Sequence, residues 1–146
     1  MWHEKAADKS PNVGRIQHHL TVLARPNIVQ QLFYYSKALV SEVPFQNTRE
    51  SVMLLFNPFL QDGRETTSQK CIQVGATFVT FHGVLFTHGV WKIYLVNVEI
   101  NLSGLDAHIG RTGSKFRTQG PEIVLSLWAA AFDFGNPELY LTQAYQ

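Results

Sequence analysis

Pro26 and Pro44 bracket the most regular stretch of the sequence. Between them Ile28, Val29, Leu32, Phe33, Leu39, Val40 and Val43 recur at helical spacing, and Gln30, Gln31, Lys37 and Ser41 fall on the other side. Apolar residues at i, i+3, i+4 and i+7 form one stripe of a 3.6-residue helix. Pro26 suits a helix start, because the N–H it lacks would have no intrahelical partner there. Pro44 closes the segment, since the residue before a proline resists helical geometry. The spacing predicts an amphipathic helix over residues 27–42.

The flanking segments read as strands. Ile16, His18, Leu20, Val22 and Ala24 alternate with Gln17, His19 and Thr21, a period of two that predicts a strand over Ile16–Ala24. Ser51–Asn57 is apolar on both faces, as a short interior strand would be. Residues 69–102 read as two long strands joined near Gly83 or Gly89. In the second, Trp91, Ile93 and Leu95 are apolar at odd positions, whereas Val96, Val98 and Ile100 are apolar at even ones. A one-residue shift swaps the faces of a strand, so a bulge near Leu95–Val96 is the simplest account. Pro121 and the Gly135-Asn136-Pro137 tripeptide frame a second helix at about 121–134. That helix is apolar nearly all round, which calls for burial or docking against a partner. Glu138–Tyr145 reads as a last edge strand. The order is β-α-β-β-β-α-β, an α+β fold with a mostly antiparallel sheet of about five strands and two helices, like a split βαβ with an inserted hairpin.

The chain has 146 residues, which suits one domain over 16–146 behind a flexible N-terminal arm, residues 1–15. Ten phenylalanines and a charged fraction of 16% exclude an intrinsically disordered chain. A single cysteine, Cys71, excludes a disulfide framework and every multi-cysteine zinc module. A net charge of +1 argues against wholesale polyelectrolyte binding. The first residues are polar and of mixed charge, without the apolar core of a secretory signal. The expected location is cytoplasmic, or peripheral to the inner membrane face, and not secreted.

No catalytic constellation emerges. His18 and His19 are adjacent, His82 and His88 are separated by Gly83, and no helical His-x-x-x-His pair occurs, so no metal site and no cofactor are expected. Cys71 lies in Lys70-Cys71-Ile72, a strand-like setting, and a buried thiol usually behaves as a small hydrophobe. Glu99, between Asn97 and Asn101, reads as part of a solvated strip. Residues 103–120 read as a glycine-containing polar loop in which Arg111, Lys115 and Arg117 face only Asp106 in charge. Residues 121–146 carry Glu122, Asp133 and Glu138 and neither Lys nor Arg. This asymmetry suits head-to-tail self-association or contact with phosphates. Trp2, Phe45, Phe59, Leu60 and the Leu125–Phe134 tract exceed what one small core needs, and surplus apolar surface marks interfaces.

The succession Ile16–Ala24, Arg25-Pro26, the 27–42 helix, the apolar Ser51–Asn57 segment and the Gly89–Leu102 run resembles the globular domain of rhabdovirus matrix proteins. It covers about residues 16–102 and carries no diagnostic motif. The resemblance implies a non-enzymatic assembly role, with an anionic membrane surface or a viral nucleocapsid as contacts and the virion as a location. The Pro-Pro-x-Tyr motif and Lys-rich arm of that family are missing, and no functional residue is carried over.

These features lead to one expectation, a self-assembling structural or interaction protein whose partner is its own homo-oligomer. Two others stand beside it. One is a ligand-binding domain or enzyme with a pocket between sheet and 27–42 helix, lined by His18, Tyr35 and His82. The other is an RNA-binding protein using Arg111, Lys115 and Arg117.

Overall fold

The computed structural model describes residues 5, 8–62, 74–89 and 91–139. Among them the regular structure is helical: α1 (Gly14–Leu23), α2 (Ile28–Leu39), α3 (Thr48–Asp62), α4 (Val74–Phe86), α5 (Trp91–Thr112) and α6 (Phe116–Ala131). Single 3₁₀ turns follow at Gly113–Lys115 and Asp133–Gly135. The only extended pairing among the described residues is an isolated bridge between Val13 and Val43. The α+β expectation with its antiparallel sheet is therefore overturned, and among the described residues the fold is all-helical.

The predicted 27–42 helix is present as α2. Asn27 caps it, its side-chain oxygen accepting from the Gln30 N–H at 3.2 Å. Pro26 thus lies before the cap, not at the first helical position.

The segment Ile16–Ala24, expected as a strand, lies in α1 and its C-cap. Its inward line is Gly14, Gln17, Leu20, Thr21 and Ala24, while Val22 and Leu23 face solvent. Polar residues inside and apolar ones outside disguised the helical period as an alternation. α1 returns along α2 as an αα-hairpin. At Gly14 the backbones approach so closely that a Cβ would stand 2.7 Å from the Ala38 carbonyl oxygen and 2.9 Å from that of Val43. Only glycine allows this contact.

Ser51–Asn57 is likewise helical, within α3, which continues through Pro58 to Asp62. The expected loop at Gln61–Ser68 begins inside α3, and its remainder lies outside the described residues. The two long strands of 69–102 are α4 and α5. α4 buries Val74 and every residue from Thr77 to Val84. A helix surrounded on all sides has no polar face, so its sequence shows no 3.6 period and mimics a buried strand. No bulge is needed at Leu95–Val96. Both residues are exposed on α5, and the apparent switch of face is helical rotation.

Leu32, Tyr35, Val52, Leu55, Phe56, Phe78, Val79 and Phe81 form the main core, where α2, α3 and α4 meet. Gly83 lets α4 settle on α3, a Cβ there falling 3.2 Å from the Phe56 ring. A second cluster, Leu39, Ala129 and Phe134, ties α6 and its following turn to α2. Arg49 closes that end, donating to the Phe134 carbonyl at 3.3 Å and lying over the Phe86 ring at 5.3 Å. The expected edge strand at Glu138–Tyr145 is not formed at Glu138 and Leu139, and its other residues lie outside the described ones.

Candidate interaction surface

The helix expected at 121–134 begins earlier, at Phe116, and takes Pro121 into its body. Pro121 is the sixth residue of this helix and cannot donate the i→i−4 hydrogen bond that another residue would give to the Arg117 carbonyl. The helix ends at Ala131, and Phe134 of the following turn is buried.

α6 turns an unusual line inward. Its buried residues are Glu122, Ser126 and Ala129, spaced as one face of a helix. Ser126 donates its hydroxyl to the Glu122 carbonyl at 2.8 Å. Gln30 of α2 donates to the Glu122 carboxylate at 3.2 Å. Burial raises the pKa of that carboxyl, and the hydrogen bond from Gln30 opposes the shift. Small and polar side chains let α6 lie close against α2.

The opposite face carries the large apolar side chains. Val124 is 51% exposed, Leu125 48%, Leu127 43% and Trp128 60%. With Pro121 and Ala131, also exposed, they make a continuous apolar strip along the outside of α6. Trp128 stacks on Phe132, with ring centroids 5.9 Å apart and planes 18° from parallel. Beside the strip runs an open groove of about 670 Å³. Lys37, Val40 and Pro44 form one wall, and Leu125, Trp128 and Phe132 the other. Val40 is itself 47% exposed. Lys37 lies 5.3 Å from the Phe33 ring centroid, and burial lowers its pKa. The groove is mostly apolar, with Lys37, Glu42 and the Ser36 and Ser41 side chains as its polar lining.

Arg111, Lys115 and Arg117 are not in a loop. Arg111 ends α5, Lys115 closes the 3₁₀ turn, and Arg117 stands in the first turn of α6. The helical path breaks at Gly113, whose φ of +56° suits glycine. The corner is braced by His108, whose Nε2 lies 2.6 Å from the Gln119 side-chain oxygen and whose ring meets Phe116 edge-on at 6.4 Å. All three cations are exposed, and no carboxylate among the described residues pairs with them. The expectation of a loop over 103–120 is corrected, and the cationic cluster stays as a surface feature.

Among the described residues there is no sheet to wall the expected pocket, and of its three expected residues Tyr35 borders a different one, of about 350 Å³, with Arg25, Pro26, Gln31, Leu54 and Leu55. His18 meets Tyr35 edge-on at 5.8 Å and Phe45 at 4.9 Å, and its Nδ1 lies 3.4 Å from the Thr48 hydroxyl. Burial, then the neighbouring His19, lowers the His18 pKa. His82 is elsewhere in the core, fully buried among Phe78, Phe81 and Phe134. Among the described residues no group of three or more His, Cys, Asp or Glu is placed to hold a metal ion. Cys71 and Trp2 lie outside the described residues. Phe45, Phe59 and Leu60, expected as surface, are half-buried, the last two against the main core.

No helix among the described residues is long and apolar enough to cross a membrane. The strands on which the matrix-protein resemblance rests are helices, so it carries no argument about function. Comparison with known protein families, with curated proteins and with solved structures finds no match to this chain.

Proposed function

We propose that this protein is a non-enzymatic interaction protein that self-associates through the outer face of α6. One observation carries the reading: α6 buries Glu122, Ser126 and Ala129 and leaves Val124, Leu125, Leu127 and Trp128 in water. Scattered exposed hydrophobes are ordinary, but a contiguous strip marks an interface. Aromatic side chains such as Trp128 are the usual anchors of such contacts.

The magnitudes suit reversible association. Completing the burial of a half-exposed large apolar side chain gains about 1 kcal/mol. Four such residues on each of two copies offer roughly 8 kcal/mol, before the several kcal/mol lost with translational and rotational freedom. Groove walls and flanking charges add to the favourable side. The surplus of a few kcal/mol suits weak, reversible association.

The test is light scattering behind size exclusion, comparing the wild type with Leu125→Ser/Trp128→Ser. Both substitutions fall on exposed positions, so circular dichroism should stay unchanged. The reading expects a concentration-dependent mass above one chain for the wild type and one chain for the variant. Equal masses for the two proteins would reject it.

A further inference from the structure

We infer that the occupant of the α6 strip is the α6 strip of a second copy, laid antiparallel about a two-fold axis passing near Leu125. The inference rests on the self-association reading and adds its geometry.

Charge along α6 is the argument. The helix has 16 residues, about 24 Å at 1.5 Å per residue. Lys115 and Arg117 stand at its start, both exposed. Asp133 and Glu138 follow its end, and no Lys or Arg occurs after Arg117 in the sequence. Arg117 lies on the same helical line as Val124, Trp128 and Ala131, at the end of the apolar strip. Asp133 is half-buried; its carboxylate accepts a hydrogen bond from Asn136 at 2.7 Å, and Arg49 reaches its backbone carbonyl at 3.5 Å. Glu138 is exposed.

A parallel pairing would set cations against cations at one end and acids against acids at the other. An antiparallel pairing sets Lys115 and Arg117 of each copy against Asp133 and Glu138 of the other, twice over. The helix dipoles then oppose favourably as well. The midpoint of Arg117 and Asp133 in the chain is Leu125, within the strip and on the wall of the groove. A two-fold axis there brings Leu125 of one copy beside Leu125 of the other. It also seats each Trp128 toward the opposite copy's groove. The contact is isologous and closes at two chains, whereas a head-to-tail contact through different patches would grow into longer assemblies.

Two experiments separate this geometry from self-association in general. In a Cys71→Ser background, Leu125→Cys should give a disulfide-linked dimer on mild oxidation, whereas Asp106→Cys, exposed on α5, should not. In the wild-type background, Arg117→Glu and Glu138→Arg should each weaken self-association about tenfold. The double variant, which restores opposite charges across the axis, should recover to within about threefold of the wild type. A wild type that stays at one chain overturns both the self-association reading and this geometry. A wild type that forms dimers, without the Leu125→Cys cross-link or without charge-swap recovery, overturns the antiparallel geometry and leaves the reading standing.

Discussion

Gln30 on α2 donates a hydrogen bond to Glu122 on α6, 3.2 Å away and 92 residues on in the chain. This contact sets the rotation of α6 about its axis. Half a turn the other way would bury Val124 and Trp128 and put Glu122 in water, which is the arrangement expected of an isolated amphipathic helix. The structure instead places a carboxyl against its neighbour and a tryptophan in solvent. Replacing Glu122 by Gln keeps an acceptor for Gln30 and removes the cost of burying a charge. A carboxyl whose folded pKa is raised favours folding at low pH, and that contribution is lost as pH rises through its folded pKa. Glu122→Gln should therefore raise the urea midpoint at pH 7, with the gain shrinking as pH falls through the raised pKa and gone below about 4.5, and should leave self-association intact.

His82 responds to acid in the opposite sense. Its Nδ1 donates to the Phe78 carbonyl at 2.8 Å. Burial lowers its pKa from 6.5 to about 4, and the carbonyls of Phe78 and Ser126 oppose this only in part. The unfolded chain then binds a proton that the folded chain refuses. The stability from this site is present above pH 6.5 and lost as pH falls towards 4, by up to about 1.4 kcal/mol per pH unit. The decline should be largely absent in His82→Met. Urea titrations of both proteins from pH 7.5 to 4.5 give the difference curve, from which the contribution of Glu122 cancels.

Gly14 tests the helical hairpin. A methyl group there meets two backbone carbonyl oxygens, neither of which can rotate away. Gly14→Ala should lower stability by about 1–3 kcal/mol, the usual cost of overpacking. In an exposed helix interior the same change would stabilise. Equal or greater stability of the variant in denaturant would show that α1 and α2 do not approach this closely.

Phe56 tests the main core. It has no exposed surface, and its ring contacts Phe86 at 5.6 Å and faces Gly83. Phe56→Ala should cost about 3–5 kcal/mol, because the cavity forms where α3 and α4 meet. Chemical denaturation read by circular dichroism measures it.

The two helices near Pro26, Pro44 and Gly135 were legible in the sequence, but Pro121, read as a helix start, lies inside α6, which begins at Phe116. α1, α3, α4 and α5 were not. In α4, from Thr77 to Val84, the polar Thr77, Thr80 and His82 are buried with the rest, so no residue marks an outside. In α1 the inward line includes Gln17 and Thr21, and Val22 and Leu23 point outward, so apolar identity and burial do not coincide. A strand reading fits both patterns equally well until tertiary packing decides. The proposed interaction surface was half legible. The Leu125–Phe134 tract stood out as surplus apolar residues, but Phe134 is buried and Val124 belongs to the strip. Which residues turn outward depends on Gln30 meeting Glu122, a long-range contact with no local signature. The cationic trio was visible as a cluster, yet its place at a helical corner required the turn at Gly113.

Self-association through α6 is tested most directly by sedimentation equilibrium of the wild type from micromolar to near-millimolar concentration. The account predicts a mass that rises and levels at two chains, with salt weakening the rise by screening the charged ends. A mass of one chain across the whole range would contradict it.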